Sequence, residues 1–146
     1  MPGACAFGRN VHEQGIPCAM LSASPREFLE AGVARVGLRD CFSLLLSVND
    51  IGLSKNDPAI YPIVCDKLGV DLPRTWSFDD SRFALRAQRQ AGLRTAAVFD
   101  VHQHLSLKEY ARLADVVVTD FADLDVRDFM EKGTRAHPPA DDNALV

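Results

Sequence analysis

Ser81-Arg82-Phe83-Ala84-Leu85-Arg86-Ala87-Gln88-Arg89-Gln90-Ala91-Gly92-Leu93-Arg94-Thr95-Ala96-Ala97-Val98-Phe99 holds the fold in miniature. Ser81 is a helix-capping residue type, and Ala84, Leu85, Ala87 and Ala91 follow it at helical spacing. Gly92 then stops the helix, because glycine enters the left-handed conformation freely and the next apolar residue packs back on the last turn. Arg94 to Phe99 is a short, nearly continuous apolar run, the pattern of a strand covered on both faces.

The same stop recurs in Gln14-Gly15-Ile16, Val36-Gly37-Leu38 and Leu68-Gly69-Val70. Each is followed, directly or after a short loop, by another apolar run. The runs predict further strands over Ile16 to Ser22, Phe42 to Val48, Thr75 to Asp79 and Asp115 to Thr119. Alternating strands and helices predict an α/β domain of three layers, with a mostly parallel sheet between helices. Ser24-Pro25-Arg26-Glu27 reads as a capping box with Pro at the first helical position, and Asp57-Pro58 repeats the cap-then-Pro pattern. Residues 1–130 read as one domain. From Glu131 to Val146 the text turns to charged residues, Gly and Pro, and is expected to be a mobile tail.

Composition narrows the partners. The chain has 146 residues, 47% hydrophobic and 25% charged, which suits a single soluble domain with its own core. A net charge of −4 gives no electrostatic case for nucleic acid or an anionic membrane surface. No apolar run approaches the roughly 20 residues that span a bilayer, and no signal peptide is evident. Cys5, Cys18, Cys41 and Cys65 show no C-x-x-C spacing, so they read as reduced thiols of a cytoplasmic protein.

Polar residues then mark the ends of the apolar runs. Ser22 closes Cys18-Ala19-Met20-Leu21, and Asp79 and Asp80 close Thr75-Trp76-Ser77-Phe78. Lys55 precedes a predicted helix in Ser54-Lys55-Asn56-Asp57-Pro58. In open α/β sheets, ligands bind beyond the carboxyl ends of the strands, where helix starts offer free N–H groups to anions. A hydroxyl at Ser22 and the amide of Ala23 suit phosphate oxygens. The Lys55 ammonium neutralises phosphate charge, and two adjacent carboxylates suit Mg²⁺. These are the parts phosphoryl transfer needs, since it rests on positioning and electrostatics. The stretch Val101-His102-Gln103-His104 and the arginines Arg82, Arg86 and Arg89 read as a loop and a solvated helix face.

In Leu21-Ser22-Ala23-Ser24-Pro25-Arg26-Glu27, in Ser54-Lys55-Asn56-Asp57-Pro58-Ala59-Ile60-Tyr61 and in Phe78-Asp79-Asp80-Ser81 running on to Ala91-Gly92, the chain resembles the haloacid dehalogenase-like hydrolases. The three stretches stand in order for that family's second, third and fourth motifs, in the phosphoglycolate-phosphatase-like and β-phosphoglucomutase-like branch. The resemblance covers roughly residues 2 to 125. It implies a Rossmann-like core, Mg²⁺ and a small phosphorylated metabolite as substrate. By the same resemblance Ser22 bonds the phosphoryl group, Lys55 binds phosphate and the nucleophile carboxylate, Asp80 with Asp79 holds Mg²⁺, and Ser81 supports that loop.

Two family features have no match. The family's D-x-D motif ends a central strand and supplies the nucleophile, but no Asp precedes Asp40 here. The substrate-selecting cap is missing as well. The chain is therefore expected to be a truncated phosphatase, inactive by itself, or else a non-catalytic binding or assembly module. In the family the missing strand lies between the strands ending at Ser22 and Asp79. Either these two are expected to rearrange, or a second chain fills the slot as a homo-oligomer. A receiver-like signalling domain fits less well, because there the acidic pair comes before the Lys.

Overall fold

The computed structural model describes residues 3–132. Helix α1 (Ala4–Glu13) leads to β1 (Ala19–Ser22), α2 (Arg26–Arg35), β2 (Leu44–Ser47) and the single turn α3 (Val48–Ile51). There follow α4 (Ile60–Leu68), β3 (Trp76–Asp79), α5 (Arg82–Ala91), β4 (Arg94–Val98), α6 (Leu107–Leu113), β5 (Val116–Val118) and α7 (Val126–Lys132). All five expected strands form, each trimmed at one or both ends. Glu131 and Lys132, expected as the start of the tail, close α7. Residues 133–146 lie outside the described residues.

The glycine stops are physical. Gly15, Gly37, Gly69 and Gly92 have φ of 68°, 66°, 73° and 96°. Leu93 N–H then reaches back to the Gln88 carbonyl at 3.0 Å, which closes α5 and turns the chain straight into β4.

One helix start differs from its expected form. Ser24 does not cap α2: Pro25 is extended (φ −54°, ψ 149°) and itself occupies the cap position, so the helix begins at Arg26. The Ser24 amide instead donates to the Ser22 hydroxyl at 3.1 Å. The full capping box is Ser106 with Glu109, at the start of α6. Ser81 does stand at the cap of α5, but its side chain makes no cap bond.

Every strand pair is parallel, and the strands fall into two groups, β1-β2 and β3-β4-β5. Among the described residues no ladder joins β1 to β3. Helices bridge the interruption on both faces. On one face Phe7 of α1 packs on Phe78, Phe121 and Phe129, with ring centroids 5.5 to 6.2 Å apart, while Arg9 of the same helix bonds the Val36 carbonyl behind α2. On the other face Leu21 of β1 packs with Ile60 and Tyr61 of α4, Ala87 of α5 and Leu93. The outcome is the three-layer α/β architecture with its middle layer in two parts. The flanking strands have not closed on each other.

Candidate active site

Strand alternation separates the two adjacent aspartates. Trp76 and Phe78 face the aromatic cluster around Phe129, so Ser77 and Asp79 face α5. Asp79 is buried. Its Oδ1 accepts the Ser81 amide at 3.0 Å, and its Oδ2 accepts Lys55 Nζ at 2.6 Å. Gln88 Nε2 lies 3.5 Å from the same Oδ2, at the long end for a hydrogen bond. Gln88 is itself buried on the inner face of α5, where Ser77 Oγ donates to its Oε1 at 3.0 Å. Asp80 points elsewhere and is half-buried. Its Oδ2 accepts Gln103 Nε2 at 3.0 Å, and its backbone carbonyl accepts the Tyr110 hydroxyl at 3.0 Å.

Lys55 is held from below. The Tyr61 hydroxyl donates to the Lys55 backbone carbonyl at 2.5 Å, so α4 fixes where the lysine stem starts. Burial pushes the Tyr61 hydroxyl pKa far up, and the Asp79 charge adds to this. Burial raises Tyr110 too, with the charges of Asp80, Asp100 and Asp79 adding to it. Both phenols therefore stay neutral and act as donors.

Ser22 ends β1, half-buried, and Ala23 after it is exposed. Leu21 joins the cluster that contains Tyr61, which brings the end of β1 to the α4 side of the site. Among the described residues no hydrogen bond links Ser22 to Lys55 or Asp79. The structure thus brings Lys55, Asp79 and Ser81 into one network, holds Asp80 beside it on Gln103 and Tyr110, and leaves Ser22 across the interruption.

Sequence reasoning passed over Gln88, Gln103 and Tyr61. Gln88 carried a signal: it lies four residues after Ala84, on the apolar face of its own helix. Gln103 carried none, because its contact depends on the turn 101–103 folding back toward Asp80.

A Mg²⁺ ion fits one carboxylate here. Mg²⁺ keeps several waters and takes one or two carboxylates along with substrate phosphate. Asp80 is accessible and has an oxygen to spare beyond the Gln103 contact. Asp79 is consumed by Lys55 and Ser81. Among the described residues no three metal-ligating side chains converge.

The chain is a parallel, Rossmann-like α/β core with a lysine, a carboxylate and a hydroxyl near its strand ends. The model of the haloacid dehalogenase-like hydrolases matches residues 1–92, and the chain belongs to that family. It is 30% identical to a phosphoglycolate phosphatase from Pectobacterium atrosepticum over 112 residues, 77% of this chain and 47% of that protein. It is 23% identical to a validoxylamine A 7'-phosphate phosphatase from Streptomyces hygroscopicus subsp. limoneus, over 84% of this chain and 55% of that protein. The chain spans about half the length of these curated relatives. Its fold matches a haloacid dehalogenase-family hydrolase from Deinococcus radiodurans R1, solved with phosphate and sodium bound. That match has a TM-score of 0.75 at 23% identity, covering 93% of this chain and 62% of that one.

Proposed function

We propose that this chain carries the phosphate-binding and metal-binding side of a phosphomonoester hydrolase, and that by itself it turns substrate over very slowly or not at all. The substrate class is a small phosphorylated metabolite, as the names of both phosphatase relatives suggest. The observation that carries this reading is the position of Lys55: its ammonium sits at the carboxyl end of β3, partly exposed and anchored through Tyr61. There it supplies positive charge to a phosphoryl group. Ser22 and the Ala23 amide hold phosphoryl oxygens, and the Ser81 amide keeps the β3–α5 loop in shape. Mg²⁺ on Asp80, when bound, neutralises phosphate charge.

Slow turnover follows from what is missing around that lysine. The carboxylates before Asp40 are Glu13, Glu27 and Glu30, all on helices and all exposed. None ends a strand beside Lys55. The slot between β1 and β3 is where an extended segment bearing a carboxylate would complete the site. The alternative, a non-catalytic binding or assembly module in the cytoplasm, is favoured by the strand edges that carry no ladder among the described residues, which can seat a second copy. A monodisperse monomer in light scattering excludes that assembly.

Hydrolysis of p-nitrophenyl phosphate with and without Mg²⁺ tests the proposal. Turnover near background, unchanged by Asp80→Asn, is the expected result. Robust Mg²⁺-dependent hydrolysis that Asp80→Asn abolishes would overturn it.

A further inference from the structure

Two partners of one ion pair are held very differently here. The Asp79 side chain is 6% exposed and is fixed by the Ser81 amide, by Lys55 and by the nearby Gln88 amide. The Lys55 side chain is 28% exposed, and only its backbone end is tied down, by Tyr61. Its ammonium has Asp79 as its one carboxylate partner among the described residues. The aspartate is therefore the fixed member and the lysine the movable one.

We propose that Asp79 is a built-in competitor for the anion site. Its carboxylate occupies the Lys55 ammonium, and an incoming phosphate binds only by drawing Lys55 away from it. This rests on the reading of Lys55 as a phosphate ligand. A short charge-assisted bond to a lysine cancels the charge an approaching anion would feel. The Asp79 charge also repels that anion directly. The flexible four-carbon stem of lysine lets the ammonium swing toward solvent while Asp79 stays on Ser81. Asp79 is thus a specificity-setting residue: it favours ligands whose negative charge outbids one carboxylate, such as a phosphate dianion, over monoanions.

Inorganic phosphate binding to the 146-residue chain, followed by calorimetry at low ionic strength, tests this. Asp79→Asn keeps the shape and an acceptor for the Ser81 amide while removing the charge. Phosphate is expected to bind Asp79→Asn about five-fold tighter or more than wild type, the size of one unit charge acting across about 4 Å even at water's dielectric. Adding Lys55→Met is expected to abolish the gain. A merely structural role for Asp79 would weaken binding instead. Equal or weaker binding in Asp79→Asn, with Lys55→Met still harmful, overturns the competition and leaves the phosphate role of Lys55 standing. Tight binding that ignores Lys55→Met overturns the role of Lys55 and the competition with it.

A second readout needs no ligand. Acylation of lysines in the folded wild-type chain is expected to be slower at Lys55 than at the exposed Lys67 and Lys108. Asp79→Asn is expected to speed it, because the ammonium then has no carboxylate holding it charged. A Lys55 rate as fast as the others, or one that Asp79→Asn leaves unchanged, overturns the proposal.

Discussion

The β1-β2 pair and the β3-β4-β5 sheet are built from the same kind of sequence, yet they differ in how completely they are finished. In the larger part, Thr95, Ala96 and Ala97 of β4 are fully buried between α5 and α6 on one face and the Phe129 cluster on the other. In the smaller part every residue of β1 is only half-buried. The contrast repeats within each part. β2 buries Leu45, Leu46 and Ser47 while its neighbour β1 buries none; β3 buries only Asp79 while its neighbour β4 buries three residues. In the larger part the two edge strands, β3 and β5, bury one residue each, while the doubly paired β4 buries three. An unpaired edge leaves backbone N–H and C=O groups to water, and a lone strand pair is marginal without packing. What holds the parts together is helices, through Phe7 on one face and through Leu21 with Tyr61 on the other.

The sharpest way to break this comparison is to damage the two parts equally. Leu85→Ala, in the finished part and with no exposure, is expected to lose about 2 to 5 kcal/mol in denaturant unfolding. Leu21→Ala, on the half-buried strand, is expected to lose clearly less. Equal losses would mean that β1 is as well packed as the core of the larger sheet.

Tyr61→Phe comes next, since it removes one donor and no packing volume. A loss of about 1 kcal/mol is expected in denaturant unfolding. Phosphate affinity is expected to fall further than stability does, because the Lys55 carbonyl loses its anchor. An unchanged affinity would separate Tyr61 from the site.

The smallest effect belongs to α6, away from the slot. Ser106→Ala removes the capping hydroxyl and is expected to cost about 1 kcal/mol. Hydrogen bonds from Ser106 hold the Glu109 carboxyl below its usual range. Its contribution is therefore present above the unfolded carboxylate value and is lost as pH falls through the folded one. The gap in denaturant midpoint between wild type and Glu109→Gln is expected to narrow in acid. A constant gap would contradict that assignment.

Much of this was legible in the residues. Glycine after a helix and before an apolar run located β1 to β4, because positive φ and buried strands leave strong local marks, while β5 was marked by its apolar run alone. Of the expected site residues, Lys55 and Asp79 come into contact at 2.6 Å, while Ser22 makes no bond to either among the described residues. What local sequence does not show is which way a side chain faces after a fold-back. Asp79 and Asp80 look like a pair, but the two-residue period of β3 turns one inward to Lys55 and the other toward Gln103. Two S-x-x-E-like starts were also present, Ser24 to Glu27 and Ser106 to Glu109. Only the second forms a box, because Pro25 takes the cap position in the first. Neither difference can be seen in hydrophobic spacing.

Backbone amide hydrogen exchange resolved by strand tests the central claim most directly, that β1 and β3 leave an open slot between them. The account expects β1 and β3, each paired on one side, to exchange much faster than β4, which is paired on both, in the native chain. Protection on β1 and β3 matching that on β4 would contradict it, and would mean that the two edges are already paired, with each other or with another chain.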